Sequence, residues 1–585
     1  MKILLTAINA KYIHSNLAVY SLRAYAGEYA DSIQLLEYTI NNRVEEILEG
    51  IYKAHADVIC FSCYIWNFSY VEELIRELKK LCPKTPIWVG GPEVSYEVET
   101  LMREHPGIDG VMIGEGEQTF LNLCHYYAKR WGTYDIKREG DDHSKRKEEL
   151  SQIPGIAYRE PDGSVHFTEA AEPVNMSEIP FCYEDMGEFR NRIIYYESSR
   201  GCPFSCSYCL SSVDKRLRFR SLELVKKELG FFIEQGVPQV KFVDRTFNCS
   251  HDHAMEIWRF IKENDRGITN FHFEVAADLL TKEELDFIGT MRPGLIQLEI
   301  GVQSTNDETI REIHRTMDLE KLKKIVRRIE APGNIHQHLD LIAGLPYEDY
   351  ETFARSFDEI YDLKPQQLQL GFLKVLKGSY MFEHAGEYGM IYRSAPPYEI
   401  MATNWLSFDE VLKIKQVEEM LEVYYNSGQF EVTMKILEPL FHSAFGMYQQ
   451  MGEFYEKQGY FQMKHTRIRR CEILMEFMES YHPQMDMELL KQALIFDLYY
   501  RENMKSRPAF AMDLSPYKRL SRQLCKKGRI QHLEPFTYRF PKTGERSLKE
   551  LPKRCETYFM LYDYEDRDPL TNQAKVREVT KEELL

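Results

Sequence analysis

Three thiols, Cys202, Cys206 and Cys209, fall within eight positions of a 585-residue chain. They sit in Glu197-Ser-Ser-Arg-Gly-Cys-Pro-Phe-Ser-Cys-Ser-Tyr-Cys-Leu210, directly after the apolar, β-branched run Ile193-Ile-Tyr-Tyr196. That run reads as a strand ending in a loop. Gly201 and Pro203 let the loop curl until the three sulfurs converge on one iron–sulfur cubane. A cubane held by three thiolates keeps one iron open to a substrate. The competing reading is a structural zinc knuckle. Zinc closes its shell with four ligands, and no further Cys or His stands at the usual short spacing on either side.

The chain is too long for one ordinary core and predicts roughly three or four domains. A hydrophobic content of 44% and a charged content of 28% describe a soluble globular protein. No run of about 18 uncharged apolar residues occurs, and no basic region followed by an apolar core opens the chain. The expectation is a cytoplasmic protein with no membrane partner. Twelve scattered cysteines do not form a secreted disulfide framework, and a reduced compartment suits both them and an oxygen-sensitive cluster. A net charge of −17 argues against a chain built for nucleic acid, while leaving room for a local basic patch.

Over about 125 residues, strands at Met1–Thr6, Ser32–Leu36, Asp57–Ser62, Pro86–Gly91 and Gly110–Ile113 alternate with helical stretches. The helices begin near Leu17 and cover Val44–Ala54 and Val71–Leu81. This α/β alternation predicts a doubly wound, Rossmann-like (flavodoxin-like) parallel sheet that takes its ligand across the carboxyl ends of the strands. The loops there are Ser62-Cys-Tyr-Ile-Trp-Asn67, Gly90-Gly-Pro-Glu-Val-Ser95 and Gly114-Glu-Gly-Glu117. Their glycines let a large flat ligand approach the backbone, although such an edge fits any flavodoxin-like domain. G-x-G-x-x-G is missing after the first strand, which counts against NAD. Cys60 and Cys63 form a C-x-x-C for which packing is the preferred role, with Cys60 in the core and Cys63 along the loop. Lys129–Leu150, broken by Gly140-Asp-Asp-His143, reads as a linker or frayed helix, and Ile156–Phe167 as a hairpin around Pro-Asp-Gly.

From Ile193 onward the strands Ile193–Tyr196, Gln239–Val243, Phe271–Val275, Leu295–Ile300, His336–Ile342 and Gln367–Phe372 alternate with helices. Six such units predict a partial (β/α)6 TIM-type barrel whose chemistry sits on the carboxyl-end loops. Asp244-Arg245, Glu274, Asp278, Glu299, Gln303-Ser304 and Gly344-Leu-Pro346 fall there. After about Tyr398 the periodicity turns helical, over Phe408–Ser427, Val432–Gln450 and Thr466–Glu479, with aromatic residues expected in the core. A basic, proline-punctuated piece follows at Lys518–Lys527 and Pro535–Arg554, and the acidic tail after it is expected as a solvated or partly ordered surface. The expected domains are a doubly wound sheet over 1–128, a linker with a hairpin over 129–188, a barrel over 189–390 and a mainly helical domain over 391–585.

The Cys-x3-Cys-x2-Cys spacing, with Tyr208 just before the third cysteine, resembles the signature loop of the radical S-adenosylmethionine (radical SAM) enzymes. Asp244-Arg-Thr-Phe-Asn248 resembles the segment that contacts the methionine amino group in that superfamily. Glu299-Ile-Gly-Val-Gln-Ser304 and Leu341-Ile-Ala-Gly-Leu-Pro346 resemble later motifs around the bound cofactor. Residues 1–125 resemble the cobalamin-binding domain that precedes the barrel in one branch, on the Gly-Gly-Pro and Gly-Glu-Gly-Glu loops and the Pro-Gly-Ile-Ala-Tyr-Arg hairpin. Asp-x-His-x-x-Gly, whose histidine ligates cobalt in many cobalamin proteins, is absent here, as in much of that branch. The C-terminal third resembles an uncharacterised extension of a bacterial subgroup and assigns no substrate.

The resemblance implies a 4Fe–4S cluster on Cys202, Cys206 and Cys209. It implies S-adenosylmethionine beside Tyr208 at the adenine and Asp244, Arg245, Glu299, Gln303 and Ser304 at polar groups. Cobalamin would lie against Ser62, Tyr64, Gly90, Gly91, Glu93, Gly114, Glu115, Gly116 and Glu117. The implied reaction is reductive cleavage of S-adenosylmethionine to a 5′-deoxyadenosyl radical and methylation of an unreactive carbon, with no catalytic side chain assigned. The alternatives are a non-methylating reaction (cyclisation, rearrangement or reductive cleavage) and a cobalamin-responsive regulator carrying an inert barrel. An electron donor such as flavodoxin or ferredoxin is implied as a partner. Arg200, Arg218 and Arg220 stand open between meeting that donor or an anionic substrate and forming a solvated basic face.

Overall fold

The computed structural model describes residues 1–132, 149–525, 528–540, 551–580 and 583. Most of the expected charged linker, with Gly140-Asp-Asp-His143, lies outside the described residues, as does the stretch 541–550 of the basic piece. The chain forms two compact units, one of Met1–Glu284, Ile313–Thr316 and Leu373–Thr403, the other of Leu285–Glu312, Met317–Phe372 and Asn404–Leu585.

In the first unit, β1 (Ile3–Asn9) is buried at every position, as a strand covered on both faces must be. It pairs in parallel with β2 (Ile33–Thr39) on one side and β3 (Val58–Ser62) on the other. β4 (Ile87–Gly90) and β5 (Gly110–Met112) continue the sheet in parallel. The strand order 2-1-3-4-5 is that of a flavodoxin-like sheet, with the switch point between β1 and β3. The expected hairpin forms as β6 (Ile156–Arg159) and β7 (Val165–Phe167). Instead of serving only as a connector, it extends this sheet. Val111 pairs with Ala157, and burial of Ile156, Ala157 and Tyr158 gives the edge its apolar cover.

The same unit carries β8 (Ile194–Tyr196), followed by the two-residue strands β9 (Ser199–Arg200) and β10 (Arg218–Phe219). β11 (Gln239–Phe242) lies parallel between β8 and β12 (Asn270–Glu274). The helix Leu222–Glu234 returns the chain from β10 to β11 and starts where Ser221 Oγ accepts from Leu224 N at 3.5 Å, a side-chain cap.

In the second unit β13 (Ile296–Gln303), β14 (His336–Ala343) and β15 (Gln367–Phe372) run parallel. β13 buries alternate residues, so Glu299 and Gln303 share its other face. The expected helix over Val432–Gln450 is two helices, Glu431–Leu437 and Ala444–Gln458. Pro439 sits in the turn between them, where its ring cannot continue the first helix. Ser443 then caps the second through Gly446 N at 3.1 Å. The tail after Arg554, expected as solvated surface, instead supplies the strands Arg554–Arg567 and Ala574–Glu578 of an antiparallel sheet, with Gln531–Tyr538 as its third strand. Phe536 and Tyr562 are fully buried beneath its charged residues.

Candidate cofactor site

The cysteine loop leaves the carboxyl end of β8 and is closed at its base by the β9–β10 ladder, which pairs Arg218 with Arg200 and Phe219 with Ser199. Gly201 has φ +95°, and a Cβ there would meet Arg216 O at 2.4 Å, so only glycine fits. Cys202 N donates to Asp214 O at 3.2 Å, and Cys209 N to Cys206 O at 3.2 Å. Ser212 Oγ donates to the carbonyls of Cys206 and Cys209 at 3.0 and 2.6 Å. Cys202 and Cys206 are buried, Cys209 is partly exposed, and all three are free thiols. Thr246 Oγ1 lies 3.8 Å from Cys202 Sγ. Three unlinked thiols held together by backbone and hydroxyl contacts are a donor set that suits an iron–sulfur cluster.

Cys249, in the turn after β11, is close enough to Cys202 to feel its charge. Burial, then Asp244 and Cys202, push it up to about 11, and it lies outside the short stretch that carries the three signature cysteines. Cys249→Ser is therefore expected to leave iron content per chain unchanged. A loss of iron would make Cys249 a fourth ligand and restore the zinc-like alternative.

The strand-end loops of the first sheet are tied to one another. Asn67, fully buried, donates to Ile8 O at 3.0 Å and Ser62 O at 2.9 Å and accepts from Tyr64 N at 2.8 Å. Tyr64 stacks on Trp66, with ring centroids 4.3 Å apart, and Trp66 keeps an exposed face. Gly90 O accepts from Cys63 N at 2.7 Å. Gly91 has φ +118°, and a Cβ there would strike Cys63 O at 2.4 Å. Ser95 Oγ donates to Gly91 O at 2.9 Å and accepts from Gly114 N at 3.3 Å. At Gly114, with φ +79°, a Cβ would meet nothing within 4 Å. Gly116 packs on Leu22, 3.1 Å from where a Cβ would stand. The loops after β3, β4 and β5 thus offer an aromatic face and, at Gly114, open backbone, as a large flat ligand requires. Cys63, expected along the loop, is as buried as Cys60. Burial pushes both thiols far up, in keeping with packing.

In the second unit Gln303 ends β13 at φ +74°, a left-handed conformation uncommon outside glycine. Among the described residues its Oε1 is buried with no hydrogen-bond partner, as expected of a group built for a ligand. Ser304 Oγ donates to Glu348 at 2.6 Å, and Ser356 Oγ to the same carboxylate at 3.1 Å. Glu299 lies opposite His338 in the β13–β14 register, and these two with Asp340 bring ligand-type atoms within 4.8 Å of one another.

Three family models match the chain: the B12 binding domain over residues 3–124, the radical SAM superfamily over 196–360, and a protein of unknown function (DUF4080) over 386–579. The chain therefore carries a segment that matches the B12 binding domain, followed by one that matches the radical SAM superfamily. It is similar to the cobalamin-dependent radical SAM methyltransferase TokK of Streptomyces tokunonensis, 24% identical over 509 residues that span 81% of this chain and 70% of the relative. It is also similar to the anaerobic magnesium-protoporphyrin IX monomethyl ester cyclase of Rubrivivax gelatinosus, 22% identical over 374 residues, 62% of this chain and 64% of that one. Among solved structures, the cobalamin-dependent S-adenosylmethionine radical enzyme OxsB with aqua-cobalamin and S-adenosylmethionine bound shares the fold. The TM-score is 0.57 at 17% identity, over 87% of this chain and 82% of OxsB.

Several residues of the radical SAM domain do something other than what their positions in the sequence suggest. Asp244, expected at a polar group of the methionine, faces inward and is 1% exposed. It accepts from Ser198 N at 2.9 Å and from the hydroxyls of Ser198 and Ser199, each at 2.6 Å, which pins β9 to the end of β11. Arg245 is exposed, with Glu274 at 3.9 Å. Arg200, Arg218 and Arg220 are not a solvated face. Arg200 donates to Glu197 at 2.7 Å and Glu117 at 2.9 Å. Arg218 pairs with Glu115 and donates to Val174 O at 3.0 Å. Arg220, buried, pairs with the buried Glu228 and donates to Met176 O at 2.5 Å and Ile179 O at 2.8 Å. Glu115 and Glu117, expected against cobalamin, instead hold the two arginines of the β9–β10 ladder. Burial opposes ionisation of Glu115, but Arg218 and Arg200 outweigh it and keep the carboxyl below its usual range. Glu93 is buried and accepts from Tyr398 Oη.

Asp244 also gives a pH prediction. Burial pushes its carboxyl from 3.8 up to about 6, against the pull of the two serines. A carboxyl that holds its proton more tightly folded than unfolded contributes stability below pH 3.8, and that contribution is lost as pH rises through about 6. The stability of the wild-type apoprotein relative to Asp244→Asn is expected to fall by about 2 kcal/mol from roughly pH 4 to pH 7. Denaturant titrations of both proteins at the two pH values would measure it, and a pH-independent difference would exclude it.

Sequence reasoning assigned no individual role to Asn67, Ser95, Ser198, Ser199 or Tyr398, although the first four lie in loops it pointed to. Only Asn67 carried a local signal, an Asn directly ahead of the amphipathic helix Phe68–Leu81.

Proposed function

We propose that the protein is a cobalamin-dependent radical SAM methyltransferase acting on an unreactive carbon. The observation that carries the reading is that one compact unit holds both the three-thiol loop at the end of β8 and a doubly wound sheet whose strand-end loops present the Tyr64–Trp66 pair and the open backbone of Gly114. The relative TokK, named as a cobalamin-dependent radical SAM methyltransferase, supports it. When bound, the cluster supplies an electron to the sulfonium of S-adenosylmethionine, and the corrin supplies a methyl carrier.

Cys202, Cys206 and Cys209 would bind the cluster as thiolates, and Ser212 and the β9–β10 ladder would orient them. Asp244 would act as a positioning residue through Ser198 and Ser199. Tyr208 would flank the adenine, with Arg245, Glu299, Gln303 and Ser304 toward the polar groups of S-adenosylmethionine. The aromatic pair Tyr64 and Trp66, with Ser62, Gly90, Gly91, Gly114 and Gly116, would face cobalamin, and Glu93, Glu115 and Glu117 would brace that site from behind. We divide the chain functionally at 1–128, 129–188, 189–390 and 391–585. A cytoplasmic setting and a one-electron donor of the flavodoxin or ferredoxin class complete the reading. Among the described residues no helix is long and apolar enough to cross a membrane.

The cyclase relative keeps a non-methylating reaction as the second reading. Product analysis separates the two. Anaerobic protein loaded with iron, sulfide and hydroxocobalamin is given S-adenosylmethionine and reductant. S-adenosylhomocysteine alongside 5′-deoxyadenosine is the expected outcome, and 5′-deoxyadenosine alone would favour the second reading.

A further inference from the structure

Arg315 brings a guanidinium against the cysteine loop. Its Nη1 donates to Cys206 Sγ at 3.7 Å and lies 3.4 Å from Tyr208 Oη. The placement is built by a short piece of chain. Ile313–Thr316 packs with the first unit, although the residues on either side of it belong to the second. Ile313 is fully buried, and its carbonyl accepts from Ser207 N, within the cysteine loop, at 2.9 Å. His314 adopts φ +54°, a left-handed conformation that costs a non-glycine residue energy. Its ring meets the edge of Tyr380, with centroids 4.7 Å apart, and Met381 N donates to Ser207 O at 2.9 Å. Two backbone hydrogen bonds to one residue of the loop, and an uncommon backbone conformation beside the arginine, fix this contact.

An arginine stays charged at any accessible pH. One-electron reduction of a thiolate-bound cluster adds negative charge to iron and sulfur together. A hydrogen bond to a ligand sulfur and a nearby positive charge both favour the reduced form. We propose that Arg315 raises the reduction potential of the cluster held by the three cysteines, through its contact with Cys206 Sγ. In the step it assists, one electron arrives from a low-potential one-electron donor and the cluster gains one negative charge. No bond forms or breaks, and no proton moves. The inference rests on the cluster reading of the three cysteines.

The test is a mediated redox titration of the anaerobically loaded full-length protein, without S-adenosylmethionine, followed by electron paramagnetic resonance. Iron and sulfide are assayed in parallel. Arg315→Gln is expected to lower the equilibrium constant for reduction about tenfold, which is about 59 mV for one electron. Arg315→Lys keeps the charge but not the planar fork, and is expected to lose about threefold. A loaded Arg315→Gln cluster with the wild-type potential, or a higher one, overturns the proposal. If Arg315→Gln does not load, the lysine variant decides by the same criterion. If neither variant takes up iron while both melt as the wild type does, the arginine is needed for assembly and the tuning role is overturned. Failure of the wild type to load a cluster would instead defeat the underlying reading of the cysteines.

Discussion

Cys206→Ala is expected to strip the protein of its cluster: iron and sulfide per chain fall to background and the broad absorbance near 400 nm disappears. With one of three thiolates gone, two sulfurs cannot hold a cubane, and no nearby thiol is poised to substitute. Cys249 is the candidate replacement, but it stands on a separate turn after β11. Cleavage of S-adenosylmethionine should fall by at least about a thousandfold, to the level of a blank. Cys60→Ala provides the contrast, since Cys60 lies in the core of the first sheet, on β3. It should keep iron and absorbance while losing stability. Retention of the cluster by Cys206→Ala would end the cysteine-loop reading.

Arg220→Met is expected to be the most destabilising of the arginine substitutions. Arg220 and Glu228 are 7% and 5% exposed. Removing the cation leaves a carboxylate buried beside Tyr196 Oη, which donates to it at 2.6 Å, and strands the carbonyls of Met176 and Ile179. Breaking one side of a buried pair costs about 3–5 kcal/mol. Replacing both partners, as in Arg220→Met with Glu228→Leu, removes the uncompensated charge and should recover much of the loss. Denaturant midpoints of the two proteins would decide. If the double variant is no more stable than the single, the cost lies in the carbonyl contacts rather than in the charge. Arg218→Met, whose partner is partly exposed, should lose less.

The parallel strands were legible in the sequence because a strand covered on both faces reads as a continuous apolar run, as β1 and β3 do. The cysteine loop was legible because its three ligands come from one short stretch. Contacts distant in sequence were not. Glu115 and Arg218 are 103 residues apart, and before folding Gly114-Glu-Gly-Glu117 suits a ligand edge as well as it suits an arginine clamp. Asp244 ends a strand where polar residues commonly face a ligand, yet its carboxylate turns back to two serines that gave no signal of their own. Arg315 sits in Arg-Glu-Ile-His-Arg-Thr, which looks like an ordinary charged helix end. Only the backbone contact between Ile313 and Ser207 makes it a neighbour of Cys206. In the C-terminal part, flanking charge concealed the run Tyr558-Phe-Met-Leu-Tyr-Asp-Tyr564, which buries residues on both faces of its strand.

The central claim is that three thiolates hold a cluster whose remaining iron is open to S-adenosylmethionine. Electron paramagnetic resonance of the reduced, loaded protein before and after adding S-adenosylmethionine tests it most directly. The predicted result is a reduced 4Fe–4S signal whose g values shift on addition, because the ligand enters the coordination shell of one iron. A reduced cluster whose spectrum ignores S-adenosylmethionine, or a loop that binds zinc in place of iron, would contradict it.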